Sequence, residues 1–193
     1  MLTDRHQSAE AGRDLPSTVA AAVAGGTPTV VFREKDLEPD DRRALGEQVA
    51  QACGDAELVV ASDPALAAHL GAAGVHLAQA DPWPDVDLAL GRSCHDAAEL
   101  DDAEAHHAAY VTLSPVFPTA SKPGWGPPLG LDGFAELVTG RSVPVIALGG
   151  ITADTVSACL DAGAAGVAVM GGVMAAQDPE GAVRALLDAG DRS

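Results

Sequence analysis

Ala108-Ala109-Tyr110-Val111-Thr112-Leu113 runs directly into Ser114-Pro115-Val116-Phe117-Pro118-Thr119-Ala120-Ser121-Lys122-Pro123-Gly124. The first segment is an apolar run with the length of a buried strand. The second opens a loop rich in Pro and Gly that lasts to Gly130, and helical patterning resumes at Leu131. Loops of that length at the end of a buried strand are where binding residues gather, because a rigid scaffold holds them. The chain has two lysines, Lys35 and Lys122, and otherwise uses arginine for positive charge. A lysine kept against that habit suits a compact charge for phosphate; a solvated surface lysine is the alternative reading of Lys122.

The bulk of the sequence narrows the options. Its 193 residues suit a single domain, 1–193, with a sizeable core. Hydrophobic residues make up 47% and aromatics only 3%, so Ala, Val and Leu must fill that core. A formal charge of −17 argues against non-specific binding to nucleic acid or to an anionic membrane. An anionic substrate would need the few cations gathered in one place. Cys53, Cys94 and Cys159 are odd in number and lack a C-x-x-C pair, which reads as reduced, buried thiols. Neither a signal peptide nor a membrane-length apolar run is visible, so the expected compartment is the cytoplasm.

Outward from the opening stretch, strands and helices alternate. Leu2 to Arg5 reads as the end of a first strand, stunted by Met1 or begun upstream. A helix is expected from Ser17 to Ala24, and a strand from Thr27 to Phe32. That strand stops at Arg33-Glu34-Lys35, whose charges must meet water or one another. Pro39-Asp40-Asp41 starts a helix to Cys53. Leu58–Ala61 is a third strand; Ser62 or Asp63 can cap the helix Pro64–Leu70. Gly74–Leu77 follows, then Gln79, Asp81 and a Pro-rich connection with no helix. Leu88–Arg92 is the fifth strand, ended by Ser93-Cys94-His95, and Asp96 caps a helix to His107. After the Lys122 loop come a helix from Leu131 to Val138, a strand from Val143 to Leu148 and Gly149-Gly150. Thr152–Ala162 is helical, Gly166–Met170 is the last strand, Gly171-Gly172 ends it, and Pro179–Ala189 is the final helix.

Near-continuous apolar strands separated by helices predict a parallel sheet wrapped by helices. About eight such units predict a compact (β/α)8 TIM barrel. A doubly wound sheet is the alternative, but polar residues follow nearly every strand rather than one switch point. In a barrel, all strand C-termini face one mouth. The Gly-Gly pairs after the last two strands suit close approach of N–H groups to phosphate; tight turns that need positive φ are the alternative. Asp63 and Asp81 could hold Mg²⁺, or else cap a helix and start a turn.

In order along the chain, Thr3-Asp4-Arg5, Arg33-Glu34-Lys35, Gly74-Val75-His76-Leu77 with Gln79 and Asp81, Gly91-Arg92-Ser93 with His95, Pro115 to Thr119 with Lys122, and Pro144 to Ile151 resemble the thiamine phosphate synthase superfamily. That superfamily includes the TenI-type thiazole tautomerases, and the resemblance spans Thr3 to Met170. It implies a transferase that joins a pyrimidine pyrophosphate to a thiazole phosphate, through loss of pyrophosphate and attack on a pyrimidine cation. Arg33, Lys35 and Lys122 would hold pyrophosphate, with Ser93 as a further catalytic residue. Ser62, Gln79, Thr119, Ser121, Gly150, Gly171 and Gly172 would contact substrate or phosphate. Asp63 and Asp81 would bind Mg²⁺. The state of association is left open, a homo-oligomer included.

The chain departs from the synthase pattern at Val31, where Gln is expected, at Ser62 for Asn, and at Ala78 for Gly. Gly91-Arg92-Ser93 and Met170-Gly171 lean towards the tautomerases, yet Pro115 stands where that branch carries its catalytic His. Proline transfers no proton. A thiazole tautomerase and a non-catalytic phosphate binder are therefore the two alternatives.

Overall fold

The computed structural model describes residues 1–119 and 127–191. Seven strands among these residues pair in chain order into one parallel sheet, with helices alternating along the chain. This is the α/β architecture of the TIM-barrel type, in which each helix returns the chain to start the next parallel strand. The chain forms two compact units.

The first unit holds residues 1–76, 84–88 and 170–185. Its strands are β1 (Thr29–Phe32), β2 (Glu57–Ala61) and, up to His76, β3 (Gly74–Leu77). Val30 lies opposite Leu58, Phe32 opposite Val60, and Val60 opposite Val75. All are buried, as strands covered on both faces require. The expected first strand is reduced to one parallel bridge, Leu2 to Val31. Asp4 ends it by capping an unanticipated helix, α1 (Arg5–Glu10), through His6 and Gln7 N–H. Helix α2 (Leu15–Ala24) starts two residues earlier than expected because Asp14 caps it. Helix α3 (Pro39–Cys53) turns Arg42, Gly46, Val49 and Cys53 inward, a stripe of helical period. Gly46 is needed there: a Cβ would sit 2.9 Å from Leu70 Cδ1 and 3.2 Å from Phe32 Cε1. Helix α4 (Pro64–Leu70) follows directly from Asp63.

The second unit holds residues 77–83 and 89–169 and the chain from Leu186. Its elements are β4 (Ala89–Cys94), α5 (Ala97–Ala105), β5 (Tyr110–Leu113), α6 (Gly130–Val138), β6 (Val145–Leu148), α7 (Ala153–Asp161) and β7 (Gly166–Ala168). Strand β4 runs two residues past the expected end. Ser93 and Cys94 pair with Thr112 and Leu113, so the ladder absorbs residues that read as loop. Conversely β7 stops at Ala168, and Gly171–Met174, which belongs to the first unit, forms a short helix, α8. The last helix, α9, is Pro179–Gly190. No helix among the described residues is long and apolar enough to cross a membrane.

Candidate active site

In the first unit, the residues beyond β1 and β2 meet. Glu34 turns inward and is 5% exposed. Its Oε1 accepts from Thr3 Oγ1 at 2.8 Å, and its Oε2 accepts from Arg5 Nη1 at 3.2 Å. Arg5 also holds Asp36 through two hydrogen bonds, at 2.6 and 2.7 Å. That guanidinium, with His6, keeps the Asp36 carboxyl far below the usual range. Arg5 is thus spent on the protein itself. The inward turn of Glu34 leaves its neighbours facing elsewhere. Arg33 is half-buried, with Nη1 2.9 Å from Met170 Sδ. Lys35 is exposed and donates to Ser62 Oγ at 3.0 Å.

Asp63 performs the capping role its position suggested. Its Oδ1 accepts from Leu66 N–H at 2.9 Å. Its Oδ2 pairs with Arg42 Nη1 at 3.2 Å, an arginine that no motif in the sequence pointed to. Lys35, Arg42, Arg43, Asp63 and His69 line a cavity of about 440 Å³. The one signal for Arg42 was its place on the inward stripe of α3, where a charged side chain must find partners.

Gly171 and Gly172 behave differently from one another. A Cβ on Gly171 would lie 2.9 Å from Gln7 Oε1, whose amide is held by Asp4 Oδ2. A Cβ on Gly172 would meet nothing within 4 Å.

In the second unit, residues 78–81 close on themselves. Asp81 N–H donates to Ala78 carbonyl at 3.0 Å, and Ala78 N–H donates to Asp81 Oδ2 at 2.7 Å. The turn reading of Asp81 is therefore real. Arg92, 7% exposed, donates from Nη1 to the Asp81 carbonyl at 2.6 Å. Its guanidinium lies 4.6 Å from the Trp83 ring centroid, and Trp83 stacks on His106 at 4.7 Å. Gln79 is exposed, and Ser93 and Thr119 are half-buried. Thr112 shares a face with Ser93, is 4% exposed, and has a hydroxyl without a partner among the described residues. His95 precedes the α5 cap, its Nδ1 2.9 Å from Glu99 Oε2.

Gly149 and Gly150 both have positive φ, 100° and 68°. A Cβ on Gly150 would lie 2.6 Å from the Pro118 carbonyl oxygen, so residues 115–118 pack directly on this turn. Ser121 and Lys122 lie outside the described residues.

The cysteines are free and buried. Burial pushes the Cys53 thiol up to about 11 and Cys94 to about 12, which removes them as nucleophiles near neutral pH.

Taken singly, each aspartate keeps acceptor capacity for a hard cation. A carboxylate offers about four acceptor sites. Asp63 uses one for a backbone N–H and one for Arg42, and its side chain stays 35% exposed. Asp81 is held the same way, by a backbone N–H. No group of three His, Cys, Asp or Glu comes together among the described residues. Of the divalent cations, Mg²⁺ asks least of the protein, because water and phosphate oxygens fill most of its shell.

The profile of the thiamine monophosphate synthase family, TMP-TENI, matches residues 1–173. A thiamine-phosphate synthase of Corynebacterium efficiens is 39% identical over 181 residues, covering 86% of this chain and 84% of that protein. One from a Roseiflexus species is 36% identical over 195 residues, covering 96% and 82%. Among solved structures, the thiamine phosphate pyrophosphorylase of Pyrococcus furiosus superposes with a TM-score of 0.87 at 28% identity, covering 99% of this chain and 94% of that one. Orotidine 5'-phosphate decarboxylase of Pyrococcus horikoshii, at 11% identity and a TM-score of 0.70, shares the fold alone. Matches over most of the chain in sequence and in architecture agree, and the chain belongs to the thiamine monophosphate synthase family.

Proposed function

We propose that the protein is a thiamine-phosphate synthase, a transferase that joins hydroxymethylpyrimidine pyrophosphate to thiazole phosphate and releases pyrophosphate. The observation that carries this reading is the Arg33-Glu34-Lys35 corner. Glu34 is consumed internally by Thr3 and Arg5, which leaves Arg33 and Lys35 to an anion in a protein of formal charge −17.

The difficult step is breaking the bond between the pyrimidine methylene carbon and the pyrophosphate oxygen. The electron pair leaves with pyrophosphate, and a pyrimidine-stabilised cation remains. The thiazole nitrogen then donates its lone pair to that carbon. Charge on the leaving group is what the protein must stabilise. Arg33 and Lys35 are assigned to this, and so is Lys122 by its motif. Ser62 orients the Lys35 ammonium. Ser93 and the Thr112 hydroxyl, which has no partner among the described residues, offer hydrogen bonds to a polar substrate group. Thr119, Ser121 and Gln79 are assigned to substrate contact. Gly150 and Gly171, with Gly172, are assigned to the thiazole phosphate through backbone N–H groups. Asp63 and Asp81 are each assigned to Mg²⁺ by their motifs, and the ion would supply Lewis-acid neutralisation of pyrophosphate oxygens.

The test is a direct one. Purified protein is mixed with both substrates and Mg²⁺, and thiamine phosphate and pyrophosphate are quantified. Equimolar formation of both, lost with chelator, is the expected result. Thiazole isomerisation without the pyrimidine substrate would replace this reading with a tautomerase. Tight thiazole-phosphate binding without turnover would replace it with a binding protein.

A further inference from the structure

Two corners of the first unit carry the same backbone anomaly. Glu34 and Ser62, each just beyond a strand, have φ of 26° and 59°, in the left-handed region that residues with a Cβ avoid. Such corners persist only where the surroundings over-determine them. Here one side chain reaches both corners. Arg42 Nη2 donates to the carbonyl of Arg33 at 3.0 Å and to the carbonyl of Ala61 at 2.7 Å. These carbonyls belong to the residues immediately before Glu34 and Ser62. The other terminal nitrogen, Nη1, donates to Asp63 Oδ2 at 3.2 Å. The guanidinium is 5.8 Å from the Phe32 ring centroid, and the residue is 8% exposed.

The residues that follow the two corners are Lys35 and Asp63. With Lys35 on Ser62 at 3.0 Å, one buried guanidinium sets the backbone from which the ammonium and the carboxylate project, and holds that carboxylate directly. We propose that Arg42 is a positioning residue for the pyrophosphate end of the reaction: it holds the Glu34 and Ser62 corners so that Lys35 and Asp63 stand ready for the leaving group. This rests on the transferase reading above. The competing view is that Arg42 only ties α3 to the strand ends, in which case its loss lowers stability and nothing else.

Arg42→Lys separates the two. Lysine keeps the charge but cannot span three acceptors in a plane. The expected result is a KM for pyrimidine pyrophosphate, and a Mg²⁺ concentration for half-maximal rate, each raised about 10- to 100-fold, the usual cost of losing an orienting partner. The KM for thiazole phosphate should stay within about twofold, because no contact of Arg42 reaches the glycine turns assigned to it. Arg42→Lys/Ser62→Asn should recover part of the loss, since Asn enters the left-handed region more readily than Ser. Calorimetry of inorganic pyrophosphate with Mg²⁺ gives a second readout that needs no turnover, and weaker binding by the same factor is expected. If the lysine variant does not fold, Arg42→Gln is measured in the same way. Unchanged pyrophosphate affinity and KM, with only a lower melting temperature, would overturn the proposal. So would equal rises in both KM values. Should the wild-type protein bind pyrophosphate yet make no thiamine phosphate, the transferase reading fails while the calorimetry still decides the role of Arg42.

Discussion

Arg42 approaches Asp63 from a helix, whereas Arg92 approaches Asp81 from a strand. In the first unit, the guanidinium lies in the first turn of α3 and touches the Asp63 carboxylate itself, together with two strand-end carbonyls. In the second, the guanidinium rises from β4 under Trp83 and reaches the main-chain carbonyl of Asp81, while a backbone N–H holds the side chain. Both are buried. For Arg42, burial lowers the pKa, and Asp63 and then Glu34 work against that shift. The difference teaches that fixing an aspartate does not require neutralising it. Arg42 orients Asp63 by charge and Arg92 orients Asp81 through the backbone, so removal of either arginine should have a different signature.

The sharpest way to break the comparison is at the aspartates. Asp63→Asn and Asp81→Asn should each lower kcat/KM for transfer about 10²- to 10³-fold, as loss of an electrostatic group does. Asparagine still caps α4, so circular dichroism should be unchanged. A loss confined to one variant would mean that only one carboxylate serves the reaction. Arg92→Ala comes next. It strips the Asp81 carbonyl of a charged donor and the Trp83 ring of its cation, which should cost about 2–4 kcal/mol. The melting temperature should fall by roughly 4–16 °C, with activity falling alongside. A large activity loss without a thermal shift would place Arg92 with Arg42 instead.

The glycine pairs give a smaller contrast. Gly150→Ala forces a Cβ at φ 68° to within 2.6 Å of Pro118 oxygen, at about 2–3 kcal/mol. Gly172→Ala meets nothing within 4 Å and should stay within about 0.5 kcal/mol. Equal thermal shifts in the two variants would show that the turn packing does not distinguish them. The smallest effect is expected at Glu104 in α5. Ser142, then Arg141 and Val143 N–H, depress its pKa to about 2 from 4.5. A depressed carboxyl stabilises the fold above its unfolded pKa and loses that contribution as the pH falls through the folded one. The Glu104→Gln variant should therefore lack part of the wild-type loss of stability between about pH 4.5 and 2, read from thermal melts across that range.

Much of this was legible in the chain. Strands such as Val30–Phe32 and Val145–Leu148 stand out because a sheet buried on both faces tolerates only apolar runs. Asp63 and Asp96 mark helix starts because an orphan N–H needs a local acceptor. The motifs Arg33-Glu34-Lys35 and Gly91-Arg92-Ser93 pointed to the family before any geometry did. What local pattern could not supply was the partner of each charge. Arg5 stood in one of the motifs that carry the resemblance and is occupied by Glu34 and Asp36. Glu34 sat between two cations and turned inward because Thr3, distant in sequence, waits there. The end of β4 moved because its length is set by pairing with β5, not by its own composition.

By itself, then, the sequence determined the alternation of elements, their capping and the parallel sheet, because those follow from periodicity and from interactions a few residues long. Tertiary structure alone decided that Arg42 would join Arg33, Ala61 and Asp63. Their spacing in the chain is arbitrary, and only the packing of α3 against the ends of β1 and β2 brings one guanidinium within reach of all three.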